Sequence, residues 1–122
     1  MSLTRDWADM TWEDFADADT SAWIAVLPVA AVEQHGPHLP LGVDAFVANA
    51  YLARARELLA DKLAVTFLPM QMVGTSSEHR AFPGTLTLSP ETMIRTLSEI
   101  GESVRRAGVR VVWVWMVVLR PV

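Results

Sequence analysis

Trp23-Ile24-Ala25-Val26-Leu27-Pro28-Val29 leads, through Ala30-Ala31-Val32, into Glu33-Gln34-His35-Gly36-Pro37-His38-Leu39-Pro40-Leu41-Gly42-Val43-Asp44. The first part is a continuous apolar run with β-branched residues, the pattern of a strand buried on both faces. The second part packs two acids, two imidazoles, two prolines and two glycines into twelve residues. Carboxylates and neutral imidazole nitrogens are the donors that zinc and manganese accept. Glu33 and His35 are two apart, so in extended backbone they project to one side. Gly36, Pro37, Pro40 and Gly42 restrict the turn that returns Asp44 towards them. The stretch therefore reads as most of one metal site. The competing reading is a polar strand-to-helix loop in which Asp44 caps the next helix.

Outward from this loop the pattern alternates. Asp44 or Ala45 opens a helix to about Lys62, with Phe46, Val47, Ala50, Tyr51, Ala55, Leu58 and Leu59 as its apolar face. Leu63 to Met70 reads as a second strand. A polar loop, Gly74 to Gly84, follows, and Thr85 to Leu88 alternates as a short strand would. Ser89-Pro90-Glu91 is a helix start, with a hydroxyl at the N-cap, proline at the first turn and an acid beside it. That helix runs to about Ala107 on a stripe of Ile94, Leu97, Ile100 and Val104, and Gly108 stops it. Val109 to Leu119 is a third strand, with Trp113 and Trp115 packing on one face. Upstream, Thr11-Trp12-Glu13-Asp14 offers a capping box, and Trp12 and Phe15 would dock a short helix on the body. The order is βαβαβ in a single α/β domain over residues 1–122, which calls for right-handed crossovers and a parallel sheet. Both polar loops leave carboxyl ends of strands, where such sheets bind ligands.

At EQHGPHLPLGVD, preceded by AVLPVAAV, the sequence resembles the creatininase family (creatinine amidohydrolase and its relatives). GTSSEHRAFPGTLTLS resembles the family's second signature, and the match runs from about Trp12 to about Val112. The resemblance implies a parallel α/β fold with a two-metal centre, zinc or manganese, that hydrolyses a cyclic or small amide C–N bond. Carried onto this chain, Glu33 ligates one metal, His35 the other, and Asp44 bridges both. Two cations so bridged acidify a shared water and polarise the amide carbonyl. His38 is either a substrate contact, a donor to a ligand carboxylate, or a structural histidine bonding the loop backbone. Glu78 and His79 shape the pocket or act in proton transfer, against the alternative of an exposed polar loop. A cytoplasmic, ring-like homo-oligomer acting on a small-molecule amide is the implied setting.

Composition narrows the alternatives. Over 122 residues the hydrophobic fraction is 52% and the net charge is −4, enough apolar content for a core and no basic patch for nucleic acid. With no cysteine there is no disulfide, thiolate nucleophile or cysteine zinc site. The acidic start lacks the apolar core of a signal peptide, and Val111 to Leu119 is far shorter than the ~20 residues of a spanning helix. No P-loop or GxGxxG follows a strand, so a phosphate-binding module is discounted. The family's third strand leads into a histidine ligand and further acidic and histidine residues. Here no histidine or acid follows Glu102. The tail is therefore expected to be a truncated or frame-shifted product after the third strand, inactive alone. The second function reading is a non-catalytic remnant that acts as a self-associating or partner-binding module.

Overall fold

The computed structural model describes residues 5–117. Strand β1 (Ile24–Val29) lies at the centre of a three-stranded parallel sheet, between β2 (Val65–Phe67) and β3 (Val111–Met116). All six residues of β1 pair with β3, from Ile24 with Val111 to Val29 with Met116. The pairing with β2 covers three residues, Ile24 with Val65 to Val26 with Phe67. Central placement explains why the β1 sequence is apolar without alternation: both faces are covered by other elements. Strand β2 is shorter than the sequence suggested: the Leu68 N–H still donates to the Val26 carbonyl at 2.8 Å, and after Pro69, which has no N–H, pairing resumes only as an isolated bridge of Gln71 with Val29. Val118 and Leu119, expected in the third strand, lie outside the described residues. Thr85–Leu88 forms only an isolated antiparallel bridge, Leu86 with Val32.

Helices cover the two faces. On one, Ala25, Leu27 and Val29 meet Val104 and Val109, with Met93, Leu97 and Ile100 of helix α3 (Pro90–Arg106) packed against them. Helix α1 (Trp12–Ala16) closes this side. Its Phe15 stacks between Trp7 and Trp23, with ring centroids 4.5 and 5.7 Å away. The capping box of Thr11 and Asp14 is formed, but Trp12 is 76% exposed, and Trp7 makes the docking contact expected of it. Ile94 is likewise 67% exposed, and Met93 takes its place in the stripe.

On the other face, Val26 and Phe67 meet Leu52 of helix α2 (Val43–Leu58), with Trp115 partly buried beside them. The inward residues of α2 are Asp44, Ala45, Ala48 and Leu52. Phe46, Tyr51 and Leu58, expected in the apolar face, are exposed. The helix carries apolar residues around most of its circumference, so periodicity did not single out one face. The small alanines let its axis approach the sheet, and Asp44 turns that side inward. Trp113 is 64% exposed, so only one of the two strand tryptophans packs.

The end of α3 is fixed by Gly108, at φ 89°, where a Cβ would collide with the Thr20 hydroxyl. That hydroxyl donates to the Ala107 carbonyl at 2.6 Å, tying the segment before β1 to the helix end. Gly101, inside α3, would meet no atom within 4 Å. Gly101→Ala is therefore expected to stabilise the chain by about 0.5–1 kcal/mol, through helix propensity alone. Gly108→Ala should destabilise it by about 1–3 kcal/mol, through left-handed strain and the collision with Thr20. Urea unfolding of the two variants beside the parent checks both signs.

Candidate metal centre

Strand β1 is followed by β2 through α2, and β3 arrives on its other side through α3. The order of strand addition thus switches side between β1 and β3, the place where open α/β sheets form a ligand crevice beyond the strand ends. An open cleft of about 270 Å³ lies there, lined by residues that include Glu33, His35, Asp44, Glu78, Met93 and Met116.

The loop after β1 folds back on itself. Gly36 turns it at φ 77°, and the Glu33 N–H donates to the Leu41 carbonyl at 3.1 Å, drawing the loop ends together. Helix α2 starts at Val43 with Gly42 as N-cap and no side-chain cap. Asp44 therefore does not cap the helix. It sits in the first turn, where a negative charge is favoured by the helix dipole, and its Oδ1 lies 3.2 Å from His35 Nε2.

His35 is held by its other nitrogen, with Nδ1 3.0 Å from the Glu33 carbonyl oxygen. A carbonyl only accepts, so Nδ1 carries the hydrogen, and in the neutral ring Nε2 presents a lone pair. That lone pair faces a carboxylate oxygen. Two acceptors at 3.2 Å repel unless positive charge lies with them, either a ring proton or a cation. Glu33, His35 and Asp44 each offer a ligand atom, all within 4.8 Å of one another. Ligand atoms at about 2.0–2.2 Å from one tetrahedral cation stand about 3–4 Å apart, so the set fits such an ion with small adjustment. Burial holds the Asp44 carboxyl above its ordinary value of 3.8; the nearby His35 opposes that rise and the Glu33 charge adds to it.

The second polar loop is clasped onto the first. Leu86 N–H donates to the Val32 carbonyl at 2.9 Å. Gly74 passes so close that a Cβ would stand 2.8 Å from the Ala30 carbonyl oxygen, and Gly84, at φ 94°, abuts Leu41. This brings His79 Nε2 to 3.9 Å from Glu33 Oε2 and from Glu78 Oε1. Glu78 is largely exposed, while His79 is mostly covered. His38 is not drawn into this group: it is exposed, its ring beside Gly36, and it is not among the described residues lining the cleft. Sequence reasoning passed over Gln34, whose Nε2 lies 2.9 Å from His79 Nδ1. The available signal was its place between Glu33 and His35, which sends it to the opposite side.

Comparison with known proteins bears on the family and the fold. The family model for creatininase, creatinine amidohydrolase, matches residues 8–115. The mycofactocin precursor peptide peptidase of Mycolicibacterium smegmatis is 37% identical over 94 residues, covering 75% of this chain and 38% of the peptidase. The creatinine amidohydrolase of Pseudomonas putida is 29% identical over 108 residues, covering 84% of this chain and 40% of that protein. A solved structure of manganese creatininase superposes with a TM-score of 0.77 at 26% identity, covering 92% of this chain and 44% of that one. The chain thus spans less than half the length of these relatives.

The raised Asp44 pKa has a definite sign. The metal-free fold holds this proton more tightly than the unfolded chain does. Its contribution to stability is therefore lost as pH rises from the ordinary carboxylate value through the raised one. Asp44→Asn removes that component. Thermal melts of metal-free parent and variant between about pH 3.5 and about pH 7 should show the variant gaining on the parent as pH increases. A constant difference would contradict the burial.

Proposed function

This chain belongs to the creatininase family, and from that premise we propose that its cleft hydrolyses an amide C–N bond with a divalent cation held by Glu33, His35 and Asp44. The observation that carries the reading is the His35 lone pair set against Asp44 Oδ1 at 3.2 Å, with the tautomer fixed by the Glu33 carbonyl. Zinc or manganese, when bound, supplies a Lewis acid for the carbonyl and a more acidic water. By the family resemblance the full site would take two ions, and Asp44 would help to hold both.

The chain's own residues do the rest. Glu33 and Asp44 bring negative charge to a largely buried position, which favours a cation over a neutral ligand. Met93 and Met116 give the cleft an apolar wall. Glu78 lines the same cleft and reaches solvent, which suits it to pass a proton to the leaving nitrogen as the C–N bond breaks. A cleft of about 270 Å³ suits a small or cyclic amide. A peptide bond is the second reading, supported by the 37% identity to a peptide peptidase.

The setting we propose is a cytoplasmic homo-oligomer. Self-association is supported by the β3 side of the sheet, where Trp113, Val114 and Met116 are 64%, 56% and 59% exposed. An apolar strand with an open edge is a template for pairing. No helix among the described residues is long and apolar enough to cross a membrane.

Elemental analysis of freshly purified protein is expected to give near-stoichiometric zinc or manganese, lost in Asp44→Ala. Loaded protein should then open cyclic ureides or lactams faster than it cleaves short peptides, with at least about a 100-fold loss in Asp44→Ala. Faster peptide cleavage would select the second reading. Bound metal without any hydrolysis, in a protein that self-associates, would leave the non-catalytic module instead.

A further inference from the structure

Two groups near the cleft have the composition of a cation site, and they share Glu33. One is Glu33, His35 and Asp44; the other is Glu33, Glu78 and His79, again with ligand atoms within 4.8 Å of one another. Composition does not separate them. Hydrogen bonding does.

The distinction starts at Gly36, whose backbone N–H donates to Gln34 Oε1 at 3.0 Å. Only the oxygen of an amide accepts, so this bond fixes which end of the Gln34 side chain is which. Gln34 Nε2 then faces His79 Nδ1 at 2.9 Å, and an amide nitrogen can only donate. Nδ1 is therefore the acceptor, and the neutral His79 ring carries its hydrogen on Nε2. This is the opposite tautomer to His35, whose Nδ1 donates to the Glu33 carbonyl. Nε2 of His79 points at Glu33 Oε2 and Glu78 Oε1, each 3.9 Å away. That is longer than a hydrogen bond, and the soft terminal torsion of a glutamate leaves its carboxylate free to turn towards the ring.

We infer that His79 is not a ligand but a positioning residue, held by Gln34 in the Nε2–H form so that it donates to the Glu33 carboxylate and steadies it for the His35–Asp44 site. The inference rests on the reading of Glu33, His35 and Asp44 as the cation ligands. It makes Gly36, Gln34, His79 and Glu33 a single relay: backbone N–H to amide oxygen, amide nitrogen to imidazole, imidazole to carboxylate. Outer partners of this kind fix ligand orientation and typically change metal affinity 10- to 100-fold. A second cation at Glu33, Glu78 and His79 would need a lone pair on Nε2, and Gln34 withholds it.

Long-range proton–nitrogen NMR on the ¹⁵N-labelled, metal-free chain reads the tautomers directly, at about pH 8.5 where ordinary imidazoles are neutral. The expected result is Nε2–H for His79 and Nδ1–H for His35, with His79 losing its single form in Gln34→Leu. Nδ1–H at His79, or a tautomer indifferent to Gln34→Leu, overturns the proposal. Zinc titration adds a second arm. His79→Leu should weaken binding about 10- to 100-fold, and His79→Gln, which keeps an N–H donor near the Nε2 position, should restore most of it. Equal weakening in both variants would mark His79 as a ligand, and no weakening in either would remove its role. A parent chain that binds no zinc would defeat the cation reading of Glu33, His35 and Asp44, while the tautomer measurement would still decide the Gln34–His79 relay.

Discussion

Strand β1 has no free edge. It is hydrogen-bonded to β2 on one side and to β3 along its whole length on the other, and both of its faces are covered. Everything else follows from satisfying that strand. Parallel partners require crossover helices, and α2 and α3 fall on opposite faces because β2 and β3 lie on opposite sides. The switch in strand order then opens a crevice at the end of β1, and the residues directly after Val29 line it. The same constraint leaves the outer edge of β3 and its apolar side chains exposed.

Much of this was legible in the sequence where the cause was local. The uninterrupted apolar run marked β1, Ser89-Pro90 marked the start of α3, and Gly108 marked its end, because each depends on residues within a turn of itself. Glu33, His35 and Asp44 were legible as a group because one short segment, turned by its glycines and prolines, carries all three. The inward face of α2 was not. Phe46 and Leu58 are as apolar as Leu52, and only the sheet, reached across small alanines, chose between them. Trp12 and Ile94 were misassigned for a related reason: a neighbour one helical step or a few residues away, Trp7 or Met93, reached the core instead.

The polar loops divide in the same way. Residue type marked Glu33, His35 and Asp44 as metal ligands and left Glu78 and His79 between pocket shaping and proton transfer, since tautomers are set by partners that pattern does not display. His35 takes its hydrogen-bond partner from two residues away in its own loop. His79 takes its partner from Gln34, 45 positions earlier, which becomes a neighbour only after the loops interlock through Val32, Leu86, Leu41 and Gly84. The glycines at 74 and 84 belong to that interlock, one by close approach to Ala30 and the other by positive φ.

One feature of the first loop bears on the cost of assembling the centre. Glu33 and Asp44 are eleven positions apart, and the Glu33 N–H to Leu41 C=O bond already joins the two ends of the segment between them. Drawing chain ends together carries an entropy penalty that grows with the logarithm of the span, so a closure this short is among the least demanding a cation can face. The three proposed ligands would therefore form a chelate within one short segment, the loop after β1 and the first turn of α2. Little of the free energy of coordinating a cation there would go into recruiting distant chain, and most of it would remain to hold the start of α2 against the end of β1.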